Sequence, residues 1–214
     1  MRIVTISRQF GSGGREFDKR LADILGFDYY DREIITAISH TKGLDEGYIE
    51  KTLDNHAWKN IPITFRQSFR AAPVMNDPQV SLLIEQKKVI EGIAKTGKGC
   101  VIVGRNADVI LHDYKPLRIF VCADPEAKIK RCMERAEPGE NLTPKQMIQN
   151  MKRIDKNRAR TREMMCESKW GDPNSYDLVV NTTDWEIKEL ASAVAEFALR
   201  RFGGNHENPI IRSL

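Results

Sequence analysis

Residues 3–25 limit the possible folds of this chain more than any other stretch. Ile3-Val4-Thr5-Ile6 is apolar and β-branched enough for a buried strand, and Phe17, Leu21, Ala22, Ile24 and Leu25 recur at helical spacing. Between strand and helix stand Gly11, Ser12, Gly13 and Gly14. A glycine-rich turn that leaves a strand and opens a helix lets successive backbone N–H groups converge, and the helix adds the positive end of its dipole. The natural guest is a phosphate chain. The plain alternative is an ordinary turn of an α/β protein, since such motifs specify function loosely.

The loop is irregular in an informative way. A Walker A loop reads G-x-x-x-x-G-K-[ST], with the lysine on the outer phosphates and the hydroxyl on magnesium. Here Arg8 stands at the first glycine, Gly14 at the lysine, and Arg15 and Glu16 at the following hydroxyl positions. Arg15 can supply the missing cation from one position later, and Arg8 can reach back over the loop.

With 214 residues, 41% hydrophobic and 30% charged, the chain can bury one substantial core carrying an insertion. No stretch approaches the roughly 20 apolar residues of a membrane span, and the N-terminus enters a strand without a secretory apolar region. A cytoplasmic chain with no membrane partner is expected. Cys100, Cys122, Cys132 and Cys166 lie far apart without metal-ligand spacing, so free thiols are expected and no metal-ligating residue is assigned. A net charge of +4 suits an anionic ligand and is weak for nucleic acid.

Further along, Gly26 is placed to end the first helix, and Asp31 to cap a second bearing Ile34, Ile35 and Ile38. Periodicity then fades over 39–80, where Leu53, Trp58, Ile61, Phe65 and Phe69 are scattered through what suits a loosely packed helical insertion, with Trp58 and the phenylalanines as its private core. A helix resumes over Leu82–Ile93, and Cys100–Val103 reads as a buried parallel strand. Gly104-Arg105-Asn106 follows at its carboxyl end, where ligands gather in a doubly wound sheet. Leu117–Cys122 is the next strand, and Asp124-Pro125 opens a helix that breaks at Glu137-Pro138-Gly139. Thr143-Pro144-Lys145-Gln146 is a capping box for a helix whose later part holds Lys152, Arg153, Lys156, Arg158, Arg160 and Arg162 against Asp155 alone. Arginine's planar fork matches phosphate oxygens. Tyr176–Asn181 reads as the last strand. Thr183-Asp184-Trp185-Glu186 reads as a second capping box, for a helix with Ile187, Leu190, Ala191, Val194 and Phe197 on one face.

This order of strand, Gly-rich loop, helix, insertion, strand ending in Gly-Arg, strand, Arg-rich segment, strand and helix resembles the nucleoside monophosphate kinases, and more closely the cytidylate kinase-like family. Asp155-Lys156-Asn157-Arg158-Ala159 and Lys169-Trp170-Gly171-Asp172-Pro173 are among the landmarks. The resemblance implies a P-loop NTPase-like α/β three-layer sandwich with a parallel sheet. Its core would span 1–28, 96–140 and 173–204, with a helical NMP-binding insertion at 29–95, an Arg-rich lid at 141–172 and a tail at 205–214. It implies that Gly11, Ser12, Gly13, Gly14 and Arg15 hold the ATP phosphates. Asp31 would lie near the acceptor's sugar or base, Arg105 on its α-phosphate, and Asn106 where cytidylate kinases place an aspartate that reads the cytosine amino group. Asp155 and Arg158 would close from the lid, with Arg153 on the phosphates and Arg162 as a further lid candidate there.

The implied activity is Mg²⁺-dependent transfer from ATP to a nucleoside monophosphate, CMP or dCMP first, with nucleotides as the small-molecule partners. Arg15, Arg105, Asp155 and Arg158 carry the expected catalytic roles. Phosphoryl transfer asks mainly for positioning and neutralisation of charge, which arginines from separate stretches can supply. Two alternatives stand beside it: a nucleotide-binding regulatory protein that has lost catalysis, and a kinase for another small acceptor. Nucleic-acid binding is not expected, because the cations cluster without interleaved aromatics.

Overall fold

The computed structural model describes residues 1–54, 78–135 and 143–203. The expected private core of Trp58, Phe65 and Phe69, the break at Glu137-Pro138-Gly139 and the tail lie outside the described residues. Among the described residues five strands form one parallel sheet: β1 (Ile3–Arg8), β2 (Asp28–Tyr30), β3 (Cys100–Val103), β4 (Leu117–Cys122) and β5 (Leu178–Asn181), in the order β2-β3-β1-β4-β5. β1 is central and pairs with both β3 and β4, with Val4 opposite Val101 on one side and Leu117 on the other. Apolar runs with few alternating polar residues suit a sheet covered on both faces.

Helices supply both covers. On one face α1 (Gly14–Leu25) and α8 (Ile187–Arg201) bury Phe17, Leu21, Ala191 and Ala198 against Val4, Ile6, Val101 and Ile119. On the other, α2 (Glu33–Lys42), α3 (Glu46–Asp54), α4 (Pro78–Lys95) and the short α5 (Ala107–Ile110) enclose Ile34, Ile38, Ile49, Leu83 and Ile90 with Ile3, Cys100 and Ile102. Side chains alternate along β1, so Val4 and Ile6 serve one layer and Ile3 the other. α6 (Pro125–Glu134) and the 22-residue α7 (Pro144–Met165) are the remaining α-helices among the described residues. The three layers and the parallel sheet match the sequence expectation.

Several local readings change. The three-residue β2, which among the described residues pairs with β3 alone, carries too short a pattern to be recognised as a strand. Asp31 does not cap α2: the helix starts after Arg32, while the Asp31 carboxylate is engaged by Arg8 at 3.1 Å and lies 3.7 Å from Arg15. Thr183 does not cap α8, whose first turn begins at Ile187. Its hydroxyl instead donates to Asn181 and accepts the Asp124 amide at 2.9 Å. Phe197 is 41% exposed, and Ala195 and Ala198 take the inner face of α8. The capping box at Thr143 forms with both of its hydrogen bonds, as its spacing requires. All four cysteines are free, with Cys100 buried. No helix among the described residues is long and apolar enough to cross a membrane.

Candidate nucleotide site

The strand order reverses direction at β1: the chain leaves it through α1 towards β2, whereas β4, on its other side, leads to β5. Ligands of open parallel sheets bind at such a switch point, outside the carboxyl ends of the strands. The loop 9–13 lies there and is tied on every side. The Gln9 amide donates to Val121 at 2.9 Å, the Ser12 hydroxyl to the Gln9 carbonyl at 2.8 Å, and the Thr182 hydroxyl to the Ser12 carbonyl at 2.6 Å. Lys128 and Arg131 of α6 reach the same loop, Lys128 through the Gln9 side chain at 3.0 Å. Gly13 sits at φ +75°, and a Cβ there would stand 2.9 Å from Ile187. Among the described residues, the amides of Gly11, Gly13, Gly14 and Arg15 meet no protein acceptor. Unsatisfied amides converging at a helix N-terminus are the elements of an anion cradle. This cradle is tightly packed, with Ser12 fully buried and Gly13 and Gly14 buried beside it.

Beside the cradle opens a cavity of about 670 Å³. It is bounded by the ends of β1 and β3, by α3 and α4, and by one face of α7. Among the described residues, five cationic side chains line it, Arg8, Lys51, Arg105, Arg153 and Arg158, against the carboxylates of Asp31 and Glu50. Gly11 to Arg15 do not line it, so cradle and cavity are neighbours that meet at Arg8 and Asp31. Volume and charge suit a mononucleotide-sized anion.

The strand–helix turn after β3 is bent in an unusual way. Gly104, Arg105 and Asn106 all adopt left-handed backbone, at φ +68°, +54° and +53°. For Arg105 such a conformation costs on the order of 1–3 kcal/mol, and strain of that kind gathers at ligand sites. It aims Arg105 into the cavity, 3.9 Å from Glu50, while Gln86 donates to its carbonyl at 3.1 Å. Asn106, nearly buried, donates to the Met165 sulfur at 3.1 Å.

α7 brings its side chains across this opening. The Phe10 amide donates to Asp155 at 2.8 Å, and Arg158 donates to the Arg8 carbonyl at 2.7 Å. Burial raises the Asp155 carboxyl above its ordinary range, against the pull of the Phe10 amide and Arg158. Arg8 bridges the buried Asp18 and Asp31. Burial opposes the charge of Arg8, yet these two carboxylates outweigh it and push the guanidinium pKa upward.

The residues singled out by sequence therefore fall into groups. Arg105, Asn106, Arg153, Arg158 and Asp31 come together around the cavity, and Asp155 sits at its junction with the loop. Arg15 is largely exposed at the start of α1 and leans towards Asp31. Arg153 lines the cavity beside the cradle and donates to Asn150 at 2.7 Å. Arg162 does not join them. It is buried against Asp108 at 2.6 Å, donates to Ser168 and lies over the Tyr176 ring, so the expectation of a phosphate contact there is corrected.

Sequence reasoning passed over Glu50, Gln86, Asn157, Thr161 and Trp170, all at the cavity wall. Asn157 and Thr161 follow Arg153, Ile154 and Arg158 at spacings of three and four on α7, so a helical face was there to be read. Glu50 and Gln86 carried no such signal.

A model of the cytidylate kinase-like family matches residues 3–184. Among solved structures, an uncharacterised protein from Eubacterium ventriosum aligns at 27% identity and a TM-score of 0.66, over 92% of this chain and 98% of that one. A shikimate kinase from Bacteroides thetaiotaomicron aligns at 10% identity and a TM-score of 0.55, over 92% and 97%. A sugar kinase from a Janibacter species gives 14%, 0.50 and 95% of each chain. At those identities the two kinases speak to the fold alone, which is that of the P-loop kinases. No curated protein matches the chain significantly.

Proposed function

Because the chain belongs to the cytidylate kinase-like family, we propose that it transfers the γ-phosphoryl group of ATP to a nucleoside monophosphate, with CMP or dCMP as the leading acceptor. One observation carries the reading: a cavity rich in guanidinium groups, at the switch point of a parallel sheet, adjoins a loop with unsatisfied amides. In this reading the amides of Gly11, Gly13, Gly14 and Arg15 hold the ATP phosphates, with Ser12 buried in the same loop. Arg105 grips the acceptor phosphate, Asn106 faces its base, and Asp31 stands at the junction of the two subsites.

The transfer breaks the bond from the γ-phosphorus to the oxygen that leaves with ADP and forms one to an acceptor phosphate oxygen. The charge that shifts is spread over oxygens, so fixed cations around it lower the barrier without covalent participation. Arg15 approaches from the loop, Arg105 from β3, and Arg153 and Arg158 from α7. α7 acts as the lid, and its contacts through Asp155 and Arg158 to the loop backbone restrict water.

The side chains present do not fit a protein-held magnesium. Arg15 occupies the hydroxyl position of the loop, and among the described residues no three His, Cys, Asp or Glu groups gather as ligands. Mg²⁺ therefore enters this reading only as the counter-ion of ATP.

A second reading keeps nucleotide binding and drops catalysis. It is favoured by Gly14 at the lysine position and by the pairing of Arg8 with two carboxylates. The experiment is to incubate purified protein with ATP, Mg²⁺ and each nucleoside monophosphate in turn and to measure ADP, followed by a wider screen of small acceptors. CMP or dCMP should give the highest turnover. ATP binding without ADP from any acceptor would replace the first reading by the second, and turnover of a different acceptor alone would reassign the substrate.

A further inference from the structure

Position 14 is glycine where the loop pattern asks for a lysine, and position 8 is arginine where it asks for a glycine. These two departures meet in space. A Cβ on Gly14 would stand 2.7 Å from Cδ of Arg8, closer than real Cβ atoms approach, and 3.0 Å from its Cβ, a tight contact. The Arg8 stem thus lies across the α-carbon of Gly14 and fills the volume into which a side chain at 14 would grow. Nor can it swing aside easily. Its guanidinium is held by Asp18, which has no exposed side-chain surface, and by Asp31 at 3.1 Å, while its carbonyl accepts from Arg158 at 2.7 Å.

We propose that Arg8 and Gly14 are a reciprocal exchange: the cation that the pattern carries at position 14 comes from the opposite wall of the loop, on Arg8, and glycine at 14 is the space it requires. The guanidinium ends where cradle and cavity adjoin, which is where phosphate oxygens of a bound triphosphate meet those of an acceptor. Two carboxylates share it, and they differ. Asp18 is sealed in the core with one oxygen that has no hydrogen-bond partner among the described residues, whereas Asp31 is at the mouth and also lies near Arg15. Asp18 fixes the guanidinium in place. Asp31 is the partner that an arriving phosphate displaces, since Arg8 and Arg15 then exchange one carboxylate for a group of higher charge.

The proposal rests on the use of the loop for ATP, and its test reads binding without turnover, so a failure to phosphorylate any acceptor leaves it decidable. A fluorescent N-methylanthraniloyl ATP is titrated into wild type, R8G, G14K, R8G/G14K and R8M/D18L, with melting temperatures recorded alongside. The last variant removes the cation together with the buried carboxylate that needs it, so that folding and phosphate binding separate. R8G, G14K and R8M/D18L should each bind the probe at least about tenfold more weakly, the scale of one charge-assisted contact. R8G/G14K should recover to within about threefold of wild type, because the lysine then occupies the vacated volume. Wild-type affinity in a folded R8M/D18L would assign Arg8 to structure alone. A folded double variant, by its melting temperature, that binds no tighter than the weaker single would show that the two positions do not substitute for each other. Either result overturns the exchange, and if R8M/D18L fails to fold, R8G/G14K decides.

Discussion

Arg162 offers the sharpest separation between a structural and a phosphate-binding arginine. Both it and Asp108 are nearly sealed from solvent, with 3% and 5% of their side chains exposed, and their charged atoms are 2.6 Å apart. R162M leaves the Asp108 carboxylate in the core without its counter-charge. Removing one partner of a buried pair costs about 3–5 kcal/mol, far above the worth of an exposed pair. For a chain of this size each kcal/mol lowers the melting temperature by roughly 2–4 °C, so R162M should melt about 6–20 °C below wild type. Urea unfolding should show a lower midpoint at unchanged slope. The companion R162M/D108L, which puts apolar groups in place of both charges, should regain most of the loss. Because this pair joins α7 to α5, R162M should also lower turnover through the displaced Asp155 and Arg158, and the double variant should restore it. A loss of stability under about 1 kcal/mol, combined with a raised KM for ATP, would refute the structural assignment and return Arg162 to the phosphates.

Three further outcomes are expected. R105A should raise the acceptor KM at least about tenfold, as loss of a charge-assisted phosphate contact does, while R105G, free of the cost of φ +54°, should melt no lower than R105A. N106D should raise kcat/KM for CMP over UMP by about tenfold, because a carboxylate accepts from the cytosine amino group and repels the uracil carbonyl; an unchanged ratio would place the base elsewhere. The pair Arg118–Asp177, at 2.8 Å, ties β4 to β5, and Arg118 holds the Asp177 carboxyl below its ordinary value although partial burial opposes that shift. A lowered folded-state value means stabilisation present above the unfolded pKa and lost as pH falls through the folded one. D177N should therefore cost about 1 kcal/mol at pH 7 and progressively less as pH falls below the unfolded carboxylate value, measured by urea unfolding across that range.

The elements whose own composition carries their structure were legible. β1, β3 and β4 are short β-branched runs, α1 has its apolar stripe, and the Thr143 capping box closes within four residues. Features that depend on a competing partner were not. Asp31 suits an N-cap until Arg8, distant in sequence, offers its carboxylate a cation. Thr183 suits one until Asn181 and the Asp124 amide engage its hydroxyl. The edge strand β2 exists only because β3 offers it a ladder.

The same division runs through the site. By itself the sequence determined that a glycine-rich turn follows a buried strand, that Gly-Arg-Asn ends another, and that arginines crowd one long helix, since each is a matter of neighbouring residues. Only the tertiary structure decided which arginines share a cavity and which is locked in the core, and that the bulk at position 8 fills the space left at position 14. Charge and volume are satisfied by whatever lies within a few ångströms, and packing brings together residues that the order of the chain keeps far apart.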